Sequence, residues 1–229
     1  MKHKDEIIDY FDGLQSMKLV VANKLYYEKF HKMSEGAFFK ALERLVNQGF
    51  LIRVAKGLYI KSAEQLDKVQ MEQAVLDYFF GENNDNGMYT GYRLYMKYAI
   101  TDADDGKIEL YSNAVNKDSI NIGRIHIRRV SIELSYDKTK ILEALEIFQN
   151  YSRIKDLNKH HFARYARNFA LSYKDDIATY VIDNVKYKKN TIAFMKKILD
   201  MYKIDNTLGQ YLSYASKYNI PTVMKLAVN

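Results

Sequence analysis

The 229-residue chain contains no cysteine. Disulfides, a thiol nucleophile and cysteine-ligated zinc are therefore excluded. There is no tryptophan and a single proline, Pro221, so little interrupts long helical segments before the C-terminus. No apolar run approaches the roughly 20 residues that span a bilayer. The opening Met1-Lys2-His3-Lys4-Asp5-Glu6 lacks the apolar core of a secretory signal. A cytoplasmic protein with no membrane partner is expected. Catalytic motifs are also missing. No H-E-x-x-H pair, nucleophile elbow or Walker-type loop occurs. A non-enzymatic protein without cofactor or metal is the expectation.

What is present begins with charge. The net charge is +7, and it is unevenly placed. Residues 1–65 carry 11 basic and 8 acidic side chains, residues 66–149 carry 10 and 14, and residues 150–229 carry 14 and 6 with no glutamate. A basic C-terminal third favours an anionic partner, nucleic acid or an acidic protein surface, unless it is simply a solvated helical face.

The most informative stretch runs from Ser34 to Ile60. Phe38, Ala41, Leu42 and Leu45 follow helical spacing. Ser34 is placed to cap that helix and Gly49 to stop it. Phe50–Val54 and Leu58–Ile60 read as strands joined through Ala55-Lys56-Gly57. Two helices are expected before it, Lys4–Gln15 and Val20–Phe30, with a turn at His31-Lys32-Met33. Three helices and a hairpin make a winged helix-turn-helix. In that fold the exposed side of the third helix enters the major groove. The candidate DNA contacts are Ser34, Phe39, Lys40 and Arg44 on the helix, with Arg53 and Lys56 on the wing. Glu35 and Glu43 share the exposed side and would repel phosphate. A winged helix that grips protein instead of DNA stays open.

Beyond residue 63 the pattern changes, so domains 1–63 and 64–229 are expected. The fold class is α+β and mostly helical: a winged helix, then a larger domain with a small sheet followed by a helical bundle. Helices are expected over Leu66–Phe80, Thr90–Tyr98 (with Thr90 as a cap), and about 138–150, 158–172, 175–184, 190–202 and 206–218. Lys107–Ser112 and Arg124–Ile132 read as strands, and Gly81–Gly87 as a polar loop. Arg124, His126 and Arg128 alternate onto one strand face, either to meet phosphate or an acidic partner or as a plain polar face. A wider basic surface would include Arg124, Arg128, Arg153, Lys155, Lys159, Arg164, Arg167, Lys188 and Lys189. His160 and His161 read as a polar surface pair, and Asp102, Asp104 and Asp105 as a solvated turn. No heptad seam suggests a dimer, so a monomer in solution is expected.

Two segments carry a resemblance. Ala41-Leu42-Glu43-Arg44-Leu45-Val46-Asn47-Gln48-Gly49-Phe50-Leu51-Ile52-Arg53-Val54-Ala55-Lys56-Gly57-Leu58-Tyr59-Ile60 resembles the end of the N-terminal winged helix of AbiEi-family antitoxins. Tyr89-Thr90-Gly91-Tyr92-Arg93-Leu94-Tyr95-Met96-Lys97-Tyr98-Ala99-Ile100-Thr101 is similar to that family's short helix opening the second domain. The resemblance implies the antitoxin of a bacterial type IV toxin–antitoxin, phage-defence system. Such a protein represses its own operon at promoter repeats and counters a nucleotidyltransferase-type toxin, with or without direct contact. The antitoxic surface would lie within 66–229, in its basic part. The alternatives are a protein-interaction module, or a transcriptional regulator without antitoxin activity.

Overall fold

The computed structural model describes residues 2–15, 17–62, 67–83 and 85–226. The chain divides into two compact units, Met1–Glu82 and Asn83–Asn229. The fold is α+β and mostly helical, with one three-stranded and one four-stranded sheet among the described residues.

The first unit runs α1 (Lys2–Asp12), β1 (Val20–Val21), α2 (Ala22–Leu25), α3 (Glu35–Asn47), β2 (Leu51–Ala55) and β3 (Leu58–Lys61). A π-helical turn over Tyr26–Phe30 continues α2. The antiparallel order β1-β3-β2 completes a winged helix. Ser34 caps α3: its Oγ accepts from the Ala37 N–H at 3.3 Å. Phe38, Leu42 and Leu45 are fully buried and pack with Ile7, Phe11 and Leu25, while Ala41 is only partly covered. The Phe38 ring stacks on Phe30 at 5.5 Å. Each such side chain contributes about 1.5–3 kcal/mol of burial.

One expectation is corrected here. Val20 and Val21 do not begin a helix. They are extended and pair with Tyr59 and Leu58. Without them the outer edge of β3 would keep unpaired backbone groups. The Ala22 N–H, at the helix start, donates to the Gly57 carbonyl at 2.8 Å.

Helix α4 (Lys68–Phe80) opens on a capping box, in which Asp67 and Gln70 each accept from the other's backbone N–H at 2.8 and 3.0 Å. It belongs with the first unit, so the division falls past the expected 63/64 boundary. Leu66, where this helix was expected to begin, lies outside the described residues.

The second unit contains β4 (Gly87–Thr90), α5 (Gly91–Lys97), β5 (Ile108–Ser112), β6 (Ser119–Ile122) and β7 (Ile125–Arg129). Four helices follow: α6 (Tyr136–Asn150), α7 (Lys159–Leu171), α8 (Asp175–Asn184) and α9 (Lys189–Met201). The sheet order is β4-β5-β7-β6, with β5 and β7 parallel. Strands β4 and β6 were not expected. The first is four residues joined directly to a helix, and the second, Ser-Ile-Asn-Ile, has only two apolar positions. Thr90 sits at the cap position of α5 but makes no side-chain cap bond. The helix expected over 206–218 is a single 3-10 turn, Leu208–Tyr211. There the Thr207 N–H and hydroxyl both donate to Asp175, at 3.0 and 2.7 Å. That side-chain partner competes with helical pairing.

Helix α6 is the centre of this unit. Every residue from Ile141 to Phe148 is buried, with α5, α8 and α9 packed around it. A helix covered on all sides is expected to be apolar all round. This one nevertheless places Glu143 and Glu146 in the interior.

Candidate nucleic-acid interface

The exposed side of α3 and the neighbouring wing form a concavity of about 550 Å³. Gly36, Phe39, Lys40, Glu43 and Asn47 line it from the helix, and Arg53 and Tyr59 from the strands. At 100° per residue, positions 36, 40, 43 and 47 fall within one narrow stripe of the helix. The remaining inward positions hold that stripe outward, because Phe38, Leu42 and Leu45 anchor the opposite face.

The six residues expected to touch DNA separate into two groups. Phe39, Lys40 and Arg53 face the concavity together. Ser34, Arg44 and Lys56 are exposed but do not line it. Arg44 lies one residue beyond Glu43, on the far side of the stripe. Lys56 stands at the hairpin tip beside Gly57, whose φ is +80°. A register shift between Arg53 and Ala55 bends the wing just before this tip. Among the described residues, Lys40, Arg44, Arg53 and Lys56 make no ion pair and no side-chain hydrogen bond. Elsewhere in this unit two lysines are paired, Lys24 with Glu28 and Lys61 with Asp12. Among the described residues Lys18, Lys29 and Lys32 are likewise exposed and unpaired, so what sets α3 and the wing apart is that Lys40 and Arg53 face one concavity.

Sequence reasoning missed Gly36, Asn47, Val46 and Tyr59 as lining residues. The first two were legible: Gly36, Lys40, Glu43 and Asn47 follow i, i+4, i+7 and i+11. A side chain at position 36 would meet nothing within 4 Å, so the first turn of the helix leaves space for a ligand to approach closely. Tyr59 had no such signal, since its strand was read as returning to the core, and it is indeed only 6% exposed.

The wider basic surface expected in the second unit is not one patch. Arg128 is withdrawn from it. Its Nη2 donates to Glu146 at 3.0 Å, and its guanidinium lies over the Tyr111 ring at 4.4 Å. Burial works most strongly against the Arg128 cation, but Glu146, Tyr111 and Glu109 together outweigh it and raise the pKa. The buried Glu146, invisible to pattern reading, is what turns that arginine inward. Arg124 is exposed and has a partner of its own. Arg153 donates to the Asn150 side chain at 2.5 Å. Arg167 is half-buried, with an Nε atom that finds no acceptor. Lys155, Lys159, Lys188 and Lys189 are exposed. Arg164 lines a separate cleft with Lys97 and Lys140. The remaining side chains of interest have local roles. Asp104 and Asp105 accept from the N–H groups of Gly106 and Lys107. His160 is exposed and His161 only partly so, with its Nδ1 on the Ala99 carbonyl at 2.7 Å.

No family model matches the chain. No curated protein matches it. Among solved structures it is similar to the crystal structure of the RV2827C protein from Mycobacterium tuberculosis. The identity is 12% over 87% of this chain and 77% of that one, with a TM-score of 0.41. A likeness this loose carries no argument about function. Among the described residues, no helix is long and apolar enough to cross a membrane.

Proposed function

We propose that the first unit binds double-stranded DNA through the α3–wing concavity, and that the protein is an antitoxin repressing its own operon at promoter repeats. The observation that carries the DNA half is the set of four unpaired cations on α3 and the wing, two of them facing one concavity. Lys40 and Arg53 meet phosphate or guanine at the groove, Lys56 follows the backbone beyond the wing, and Arg44 contacts the far strand. Ser34 accepts the Ala37 N–H through its lone pair, which leaves its hydroxyl proton free to donate to a phosphate. Glu43 cannot face phosphate without repulsion. It fits a base edge instead, accepting from a cytosine amino group, and so favours sequence over general affinity. The antitoxin half is supported by the resemblance in residues 41–60 and 89–101 to AbiEi-family proteins. It assigns the second unit the task of countering a nucleotidyltransferase-type toxin, without catalysis of its own.

The test is fluorescence anisotropy with duplexes from upstream of the protein's own gene. Four phosphate contacts predict a slope of about −3.6 for log affinity against log salt, a loss of about 150-fold between roughly 50 and 200 mM. Replacing both Lys40 and Arg53 with Ala should lower the slope by about 2. Glu43→Gln should strengthen binding to unrelated DNA. Failure of the wild type to bind any upstream repeat at low salt sinks the DNA half. Co-expression with a neighbouring nucleotidyltransferase tests the other half, which fails if growth arrest is not relieved.

A further inference from the structure

The second unit holds a cleft of about 500 Å³ that the DNA-binding reading does not use. That volume suits a small organic ligand. One stripe of α7 forms its wall. His161, Arg164, Tyr165 and Asn168 follow each other at helical spacing, and all line it. Lys97 from α5 and Lys140 from α6 close the opposite sides, and no acidic side chain lines it.

A carboxylate that borders Lys97 is already engaged. Glu143, 3% exposed, accepts from Lys97 Nζ at 2.6 Å and from the Tyr98 hydroxyl at 2.5 Å. Lys97 therefore brings a largely compensated charge. Lys140 lies over the Tyr136 ring at 4.2 Å, a contact that leaves its charge unneutralised. Arg164 and Asn168 are exposed, and neither side chain is bonded to another described residue. The cleft thus keeps two uncompensated cations and a free amide.

Its floor is aromatic and fixed. The Tyr98 hydroxyl is anchored on Glu143, and its ring meets Tyr165 at 4.5 Å. Phe169 lines the same floor. Next to Tyr98, Ala99 has a φ of +53°, a left-handed conformation unusual for alanine. Its carbonyl is held by His161 at 2.7 Å, which requires a proton on Nδ1. The neighbouring Ile100 N–H donates to Tyr95, and the Ile100 carbonyl accepts from Asn158. A strained, over-determined turn beside a cleft is where ligand sites tend to be built.

We propose that this cleft binds a free nucleoside phosphate. Arg164 and Lys140 receive the phosphate, the guanidinium by paired N–H donors and the ammonium as a point charge. The base lies against the aromatic floor of Tyr98 and Phe169, beside the Lys97 ammonium that sits over the Tyr98 ring at 5.3 Å, and the Asn168 amide, both donor and acceptor, reads its edge. The assignment is independent of DNA binding by the first unit.

The test is isothermal titration calorimetry of the full chain with ribonucleoside monophosphates and triphosphates, inorganic pyrophosphate, and a phosphorylated tetranucleotide. The expected result is saturable binding of at least one nucleotide, weakened about tenfold or more by Arg164→Ala. Arg164→Lys should fall between, and Asn168→Ala should change the preference among bases. The variant with Lys40 and Arg53 both replaced by Ala should bind nucleotide like the wild type. Arg164 is exposed, so its variants should melt like the wild type, and Asn168→Ala gives a second reading at the same site. The proposal is overturned if no nucleotide binds saturably, or if neither Arg164→Ala nor Asn168→Ala alters binding. Pyrophosphate binding as tightly as any nucleotide would remove the base from the assignment and overturn it. Tighter binding of the tetranucleotide would replace a free nucleotide by a strand end.

Discussion

Replacing Arg128 with Met removes the cation that accompanies a buried carboxylate while keeping an unbranched side chain of similar length. The Glu146 side chain is 2% exposed and the Arg128 side chain 34%. The substitution takes away the 3.0 Å hydrogen bond to Glu146 and the 4.4 Å contact with the Tyr111 ring. It leaves Tyr111 still donating to Glu146 at 2.7 Å. Removing one partner of a buried ion pair costs about 3–5 kcal/mol. Solvent reaching a third of Arg128, and the remaining Tyr111 bond, reduce this to about 2–3 kcal/mol. At about 2–4 °C per kcal/mol, the second unit should melt about 8 °C lower. Differential scanning calorimetry of Arg128→Met, Glu146→Gln and the double variant reads the effect. The double variant removes both charges, so it should be more stable than Arg128→Met by about 1–2 kcal/mol. A single change within about 0.5 kcal/mol of wild type, or a double variant no better than Arg128→Met, would refute the pairing argument.

Two further outcomes follow from the same unit. Tyr98, Tyr111, Tyr165 and Tyr187 all have raised pKa values, first by burial and then by neighbouring carboxylate or phenol groups. Tyr211 is pushed up to about 12 by burial and its bond to Asp183. A pKa raised on folding stabilises fully below the unfolded value and is lost as pH rises through the folded one. Ultraviolet titration should therefore show a set of tyrosines that ionise only above about pH 10, together with unfolding. Uniform titration near pH 10 with the fold intact would contradict this. Gly91→Ala should destabilise by about 1–2 kcal/mol, since residue 91 has φ +59°. Its new methyl would also press on the Glu109 carboxylate. Urea denaturation measures it, and an unchanged midpoint would show that the backbone relaxes freely.

Much of the first unit was legible because its signals are local. Helical spacing, a serine cap and a glycine between two strands act within a few residues. Lys40 was readable for the same reason, since it sits opposite the hydrophobic anchors of its own helix, and Arg53 because the hairpin that carries it was. The second unit was less legible where contacts are distant. Strand β6 depends on pairing with β7 more than on its own four residues. The expected last helix lost to Asp175, 32 positions away from its partner Thr207. The cleft was partly readable, in that Arg164 was singled out and the α7 stripe is regular. Its other walls come from α5 and α6, more than 20 residues earlier.

The sequence by itself determined the helix-and-hairpin unit, the absence of thiol chemistry and the excess of positive charge after residue 150. Period and capping are short-range, so they survive without knowledge of the fold. Only the tertiary structure decided which cations remain available. Arg128 turns inward because α6 brings Glu146 beneath β7, and Lys97 is engaged because the same helix brings Glu143 to α5. A charge costs several kcal/mol to bury alone, so each interior carboxylate takes a basic residue with it. The count of basic residues is written in the chain; which of them face a partner is set by where α6 lies.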